Sequence, residues 1–418
     1  MEISKGFPSG LFSGVLILAW IAGPLGQPLH AQSYTPLHSF TGGDTDGCQL
    51  MYGAPALSGS TLFGMTHTAG SKNSGTLFQV GTDGNGYQTL HHFGNPEGDG
   101  TTPRGSLTLS GSVLYGFTAY GGSPYVSTGG TLFKIGTDGN NYQQLLTFGP
   151  GTFGQVHPYG APVINGTRLY GMTLGDGAGI KGSVFAMNTD GTGIEILHPF
   201  TGQPDGADPY GSLTLVGSRL FGMTNAGGLY GTSGGGSGHG VLFSLNTNGT
   251  DYTIHHHFAG FPDDGNNPTG SLTLVGDRLF GMTGGGGKNN ASGVLFSIGT
   301  DGTGYRVLLD FSDVGTAGPR GALTYTGSRL YGTTSAGGGP GASGTVFTVK
   351  TDGNGFLIIH RFLTATGDGG QPIGDLTVGD SSLYGWTYAG GTGCGVVFSL
   401  PIPTIQSTFM PSIFRTQP

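Results

Sequence analysis

Short alternating segments dominate the chain, separated by turns rich in glycine. Ser212-Leu213-Thr214-Leu215 reads as one strand (a), and a turn about Gly217 leads to a second (b), Arg219 to Thr224. Gly240 to Leu245 reads as a third (c) and Tyr252 to Phe258 as a fourth (d). Apolar and polar residues that alternate between such turns predict half-buried antiparallel strands.

The four-strand unit recurs. Leu-aromatic-Gly marks strand b at Leu62, Leu114, Leu169, Leu220, Leu279, Leu330 and Leu383, with spacings of 51 to 59 residues. Each is followed by Gly-x-[Leu/Val]-Phe in strand c, as at Gly75 to Phe78 and Gly395 to Phe398. In six units a Thr-[Asp/Asn]-Gly turn comes next, suited to a tight hairpin, and then a strand closed by Phe. The last unit stops after strand c, at Val396 to Leu400, whereas Tyr34 to Phe40 at the other end fits strand d. Such an offset serves a ring closed by its own termini, which removes two exposed sheet edges. The expected fold is all-β: a seven-bladed β-propeller with four antiparallel strands per blade, an N-terminal strand completing the last. The expected boundaries are a signal peptide at 1–31, the propeller at 32–400 and a short tail at 401–418.

Composition narrows the class. Glycine supplies 89 of 418 residues and charged residues only 9%, which disfavours helices. The glycines follow no triplet period, which excludes collagen. A net charge of -8 lacks the basic footprint of a nucleic-acid binder. Lys5, the apolar run Leu11 to Ile21 and the small residue Ala31 predict an export signal cleaved after about Ala31. That run is shorter than the ~20 residues that cross a bilayer. The mature chain is thus expected to be secreted or at the cell surface, without a membrane span, and monomeric.

Candidate chemistry is sparse. The aromatic residues repeated in every unit, such as Phe63, Phe78 and Phe93, fit core packing better than a ligand groove. His38, His91, His198, His256 and His360 share one place in strand d, but Leu146 and Leu309 occupy it in the other units. That argues against a metal site and for ordinary strand residues. The triplet His255-His256-His257 points to alternating faces. An Asp-Gly-x-x-Pro-x-Gly pattern joins strand d to the next strand a, as at Asp99 to Gly105, Asp205 to Gly211 and Asp264 to Gly270. Asp44-x-Asp46-Gly47 has calcium-loop spacing without the full ligand set. No nucleotide, nucleophile-elbow or zinc motif is present, and no cofactor or metal is implied.

Taken together, Leu-Tyr-Gly-x-Thr, a Gly-Gly loop, Gly-x-Val-Phe and Thr-Asp-Gly resemble the bacterial GloVer-type tandem repeat of "choice-of-anchor" exported proteins. The resemblance spans Tyr34 to Leu400 and implies export, with no catalytic residues to carry over. Pro401 to Pro418 departs from it in carrying neither an apolar anchor nor a basic cluster. More distantly, the double glycines after strand b, such as Gly227-Gly228, are similar to kelch repeats.

The b–c loops vary from 7 to 15 residues, whereas the a–b and c–d turns are short and uniform. In a four-stranded blade the b–c and d–a connections share one face, and variable loops on a rigid frame are where binding concentrates. Tyr120, Tyr125, Tyr230, His239 and Tyr388 lie in these loops as candidate contacts to an extracellular protein or glycan; each also reads as surface decoration. The alternative is an extracellular carbohydrate-active enzyme using acids such as Asp176, Asp205 or Asp264 on the same face. Cys48 and Cys394 both reach the corner that joins first and last blades, so a disulfide between them is expected in an oxidising compartment; two free thiols are the other reading.

Overall fold

The structure is a computed structural model that describes residues 33–94, 98–122, 129–149, 157–175, 179, 181–231, 238–363 and 367–404. The expected signal peptide and most of the tail lie outside them.

Seven antiparallel sheets form the blades of a propeller. Blade one consists of strands a to d at Ala56–Ser58, Thr61–Thr66, Thr76–Gly81 and Gln88–His92, hydrogen-bonded in that order. The fourth repeats it at Thr214–Val216, Arg219–Thr224, Val241–Asn246 and Thr253–His257. Strand c begins one residue later than the alternation suggests because Gly240, at φ 95°, is still turning. In blade seven the order is Thr377–Val378, Ser382–Trp386, Val396–Pro401 and then Thr35–Ser39 from the N-terminal end. His38 pairs there with Val397 and Ser39 with Val396.

The core consists of layers between neighbouring blades. Phe63, Met65 and Phe93 of blade one pack on Leu107, Leu114 and Phe133 of blade two. Leu37 and Phe40 of the N-terminal strand pack on Phe78 and Val80 of blade one, which closes the circle. The closing phenylalanines of strand d and the aromatic residues of strands b and c are buried in every blade, each ring contributing about 1.5–3 kcal/mol. The glycine of Leu-aromatic-Gly makes room for one of them: a Cβ on Gly222 would lie 2.6 Å from the tip of Phe243.

At the axis a second set of glycines, one per blade, forms a continuous ring. A Cβ on Gly160 would come within 2.5 Å of the Gly211 carbonyl oxygen, one on Gly211 within 2.3 Å of Gly270, and one on Gly374 within 2.3 Å of Gly53. Side chains are thus excluded where seven strand starts converge. Threonines of strand a bond across the same junctions: Thr214 donates to the Leu272 carbonyl at 2.7 Å and Thr377 to that of Pro55 at 2.5 Å.

The d–a and b–c loops do share a face, for they pair with each other. Gly47–Cys48 pairs with Thr68–Ala69, Gly265–Asn266 with Gly285–Gly286, and Gly369–Gly370 with Ala389–Gly390. A disulfide joins Cys48 to Cys394 with their Cα atoms 4.5 Å apart. Beside it the Gln49 amide donates to the Cys394 carbonyl and the Phe40 amide to that of Gly395. No helix of the described residues is long and apolar enough to cross a membrane.

Two stability outcomes follow. Reduction, or Cys48→Ser, should lower the unfolding free energy by ~2–4 kcal/mol in denaturant titrations, with the Thr35–Ser39 amides the first to gain hydrogen exchange. Gly270→Ala should cost ~1–3 kcal/mol through backbone displacement. Gly276→Ala, at an open turn where only the left-handed backbone is at stake, should cost about 1 kcal/mol.

Candidate functional site

The residue just before each axial glycine stands at the mouth of the axis on the loop face. Strand a runs inward from the d–a loop, so its first residues face that side. These mouth residues are Tyr52, Arg104, Tyr159, Tyr210, Thr269, Arg320 and Ile373. Five of them, Tyr52, Tyr159, Tyr210, Thr269 and Arg320, line with the axial glycines a cavity of about 20 Å³, room for a single water. Asp375 also lines it. Its carboxylate accepts the Ala322 amide, and burial pushes its pKa up despite that bond.

One side of the mouth is aromatic. Tyr159 and Tyr210 stack with ring centres 5.3 Å apart, and the Arg104 guanidinium lies 4.4 Å from the centre of the Tyr159 ring. Tyr120 packs beside them, and its ring meets His157 edge to face at 4.6 Å. Burial raises the Tyr159 and Tyr210 hydroxyls above the usual phenol range, so both remain neutral hydrogen-bonding groups.

Of the loop residues singled out in the sequence, only Tyr120 enters this cluster. Tyr230 is exposed in the b–c loop of blade four. His239, in the same loop, binds the Ala259 carbonyl through Nδ1 at 2.9 Å. Tyr388 is half-buried in blade seven. Among the described residues no ring contact or hydrogen bond links these three. Tyr125 and Asp176 lie outside the described residues. The mouth residues themselves escaped sequence reading, although each stands between a near-invariant Pro and an invariant Gly, where a repeat that varies at one place only is legible.

The strand d histidines are more than strand residues. His38, His91, His198, His256 and His360 each place Nε2 2.8–3.3 Å from the Asp of the following Asp-Gly loop. Over each ring lies a tyrosine from the next blade: Tyr87 on His38, Tyr142 on His91, Tyr252 on His198, Tyr305 on His256 and Tyr34 on His360. Tyr87, Tyr142 and Tyr305 also donate to the carboxylates of Asp46, Asp99 and Asp264 at 2.5–2.6 Å. Where Leu146 or Leu309 replaces histidine, the next blade carries Ile194 or Phe356 instead of tyrosine. The three positions therefore change together, a signal available in the sequence only when neighbouring units are read as pairs.

These groups fasten neighbouring blades. Burial opposes ionisation of Asp46 and Asp264, but the bonds from histidine, tyrosine and loop amides outweigh it and hold both below the usual carboxylate range. Burial, and then the adjacent carboxylate, push Tyr142 and Tyr305 far above the usual phenol range. Asp205 is engaged in the same way by His198 and Thr201. Asp46 also accepts the Thr41 and Gly47 amides, so its oxygens face protein donors. Among the described residues no group of three or more His, Cys, Asp or Glu is arranged to hold a metal ion.

The family model of the Gloeobacter/Verrucomicrobia repeat matches residues 28–233 and 225–398. The chain belongs to this family. No curated protein matches this Gloeobacter/Verrucomicrobia repeat protein in sequence. Among solved structures it is similar to an oligogalacturonate lyase from Vibrio parahaemolyticus, with a TM-score of 0.56 and 12% identity over 89% of this chain and 94% of that one. An oligogalacturonate lyase in complex with manganese gives 0.55 and 12% over 89% and 97%. At such identities the likeness shows the propeller fold alone.

Asp264→Ala should cost ~2–4 kcal/mol, because His256, Tyr305 and two loop amides lose one buried acceptor. The depressed carboxylates stabilise the fold above the unfolded value of about 4. That contribution should be lost as pH falls from there toward the lower folded values. Denaturant midpoints measured across acid pH should show the decline, and a smaller one in Asp264→Ala.

Proposed function

We propose that this repeat protein is an exported binding scaffold that takes a protein or carbohydrate ligand at the axial mouth of its loop face. The observation that carries the reading is the contrast within one motif. The axial glycine is constant because no side chain fits there, and proline precedes the mouth position in six of seven units, with Met51 in the first. The residue between them differs from blade to blade, buried at Tyr159 and Ile373 and exposed at Arg320. A position that varies while its neighbours do not, placed at the centre of a rigid face and rich in Tyr and Arg, suits recognition. Export is supported by the segment from Lys5 to Ala31 and by the Cys48–Cys394 disulfide, a bond that persists in oxidising compartments.

A glycan array and partner capture with the exported chain test this. Tyr210→Ala should weaken binding at least about tenfold, the loss of one stacking anchor, with the unfolding midpoint little changed. Tyr325→Ala, exposed on strand a near the a–b turn and so toward the opposite face, should leave binding intact. Glycan turnover abolished by Asp205→Asn or Asp264→Asn would replace the scaffold reading with an enzymatic one.

A further inference from the structure

Arginine is scarce in this chain and almost always occupied. Among the eight described arginines, six direct their guanidinium at protein acceptors. Arg168 meets Glu195, Arg219 meets Ser244, and Arg278 and Arg306 meet Ser297. Arg329 meets Thr348, and Arg361 the Gly338 carbonyl. The two whose guanidinium has neither a hydrogen bond nor an ion pair among the described residues are Arg104 and Arg320, and both stand at the axial mouth. Arg104 makes only its cation–π contact, and its buried Nε has no partner. A guanidinium carries five donors; Arg320 presents them to solvent, whereas half-buried Arg104 leaves its Nε without an acceptor.

Among the described residues no acid makes a hydrogen bond or ion pair with either guanidinium. Asp208, beside Tyr210, accepts the Gly175 amide. Asp375 accepts the Ala322 amide, and burial favours its uncharged form. A chain of net charge -8 thus concentrates unpaired positive charge at the centre of one face.

We propose that the mouth recognises a short saccharide bearing carboxylates, an oligomer of uronic acid, with Arg104 and Arg320 as its anion-binding residues; this rests on reading the mouth as the binding site. Arg104 belongs to blade two and Arg320 to blade six, on opposite sides of the axis. Engaging both calls for a ligand with more than one carboxylate along its length. A guanidinium pairs with a carboxylate through two parallel hydrogen bonds. The aromatic cluster offers ring surface for the apolar face of a sugar, and its neutral hydroxyls suit a polyol. The overall negative charge disfavours a dense polyanion such as nucleic acid.

Calorimetric titration of the exported chain with trimannuronate, and with mannotriose of the same linkage as its uncharged counterpart, tests the assignment. Wild type should bind the uronate at least about tenfold more tightly than the neutral sugar, and more weakly as salt rises. Arg104→Gln and Arg320→Gln should each lose about ten- to a hundredfold for the uronate alone, with unchanged unfolding midpoints. Equal binding of both sugars, untouched by the arginine variants but lost in Tyr210→Ala, would overturn the anion site and leave the mouth as the binding site. Preference for an acidic peptide over the uronate would overturn the saccharide assignment. If no sugar binds, the assignment falls too; a partner still captured through Tyr210 would then show that the mouth binds something else.

Discussion

Closure of the ring is the constraint on which the rest of the structure depends. No blade buries its faces alone: each four-stranded sheet has its apolar layer completed by the neighbour, as Phe63 and Phe93 are by Phe133. An open array would expose one such layer at each end. The junction of first and last blades therefore needs the strength of the other six, and it carries several kinds of fastening. The N-terminal strand completes the last sheet, and Leu37 and Phe40 fill the layer against blade one. Thr377 reaches the Pro55 carbonyl, Tyr34 covers His360, and Cys48 is cross-linked to Cys394.

Closure also accounts for the repeat's most constant features. Seven strand starts can converge only if nothing larger than hydrogen projects between them, hence the axial glycines. Aromatic rings can fill the wedge between blades only if the opposed strand b residue yields space, hence the glycine of Leu-aromatic-Gly. The His–Asp–Tyr sets secure the wider outer part of the junctions. In two junctions Leu146 with Ile194 and Leu309 with Phe356 pack in their place. An apolar pair thus substitutes for a polar set, as expected where a buried ionic group is retained for geometry more than for net stability.

The loop face inherits this rigidity. Pairing between d–a and b–c loops ties the variable segments to the blades, and the axial glycines line the cavity at the mouth. Tyr210, Arg104 and Arg320 stand on this frame around the buried ring of Tyr159. The strand d histidines and their aspartates, by contrast, join neighbouring blades through hydrogen bonds and stacked tyrosines.

Sequence by itself determined the architecture. Strand type, repeat number and the exchanged terminal strand are local or periodic properties, written by alternation, by Asp-Gly and Asn-Gly turns and by the offset of Tyr34 to Phe40 from Val396 to Leu400. The approach of Cys48 to Cys394 followed from the same offset, because antiparallel pairing brings the end of strand d to the start of strand c. The partnerships between blades were decided only by the tertiary structure. His38 and Tyr87 are 49 positions apart and stack because adjacent blades bring corresponding strands alongside. Tyr159 and Tyr210, 51 apart, meet because the ring gathers equivalent residues at one axis. The physical reason is that alternation and turn chemistry act within a unit, whereas a closed ring acts on the same position of every unit at once.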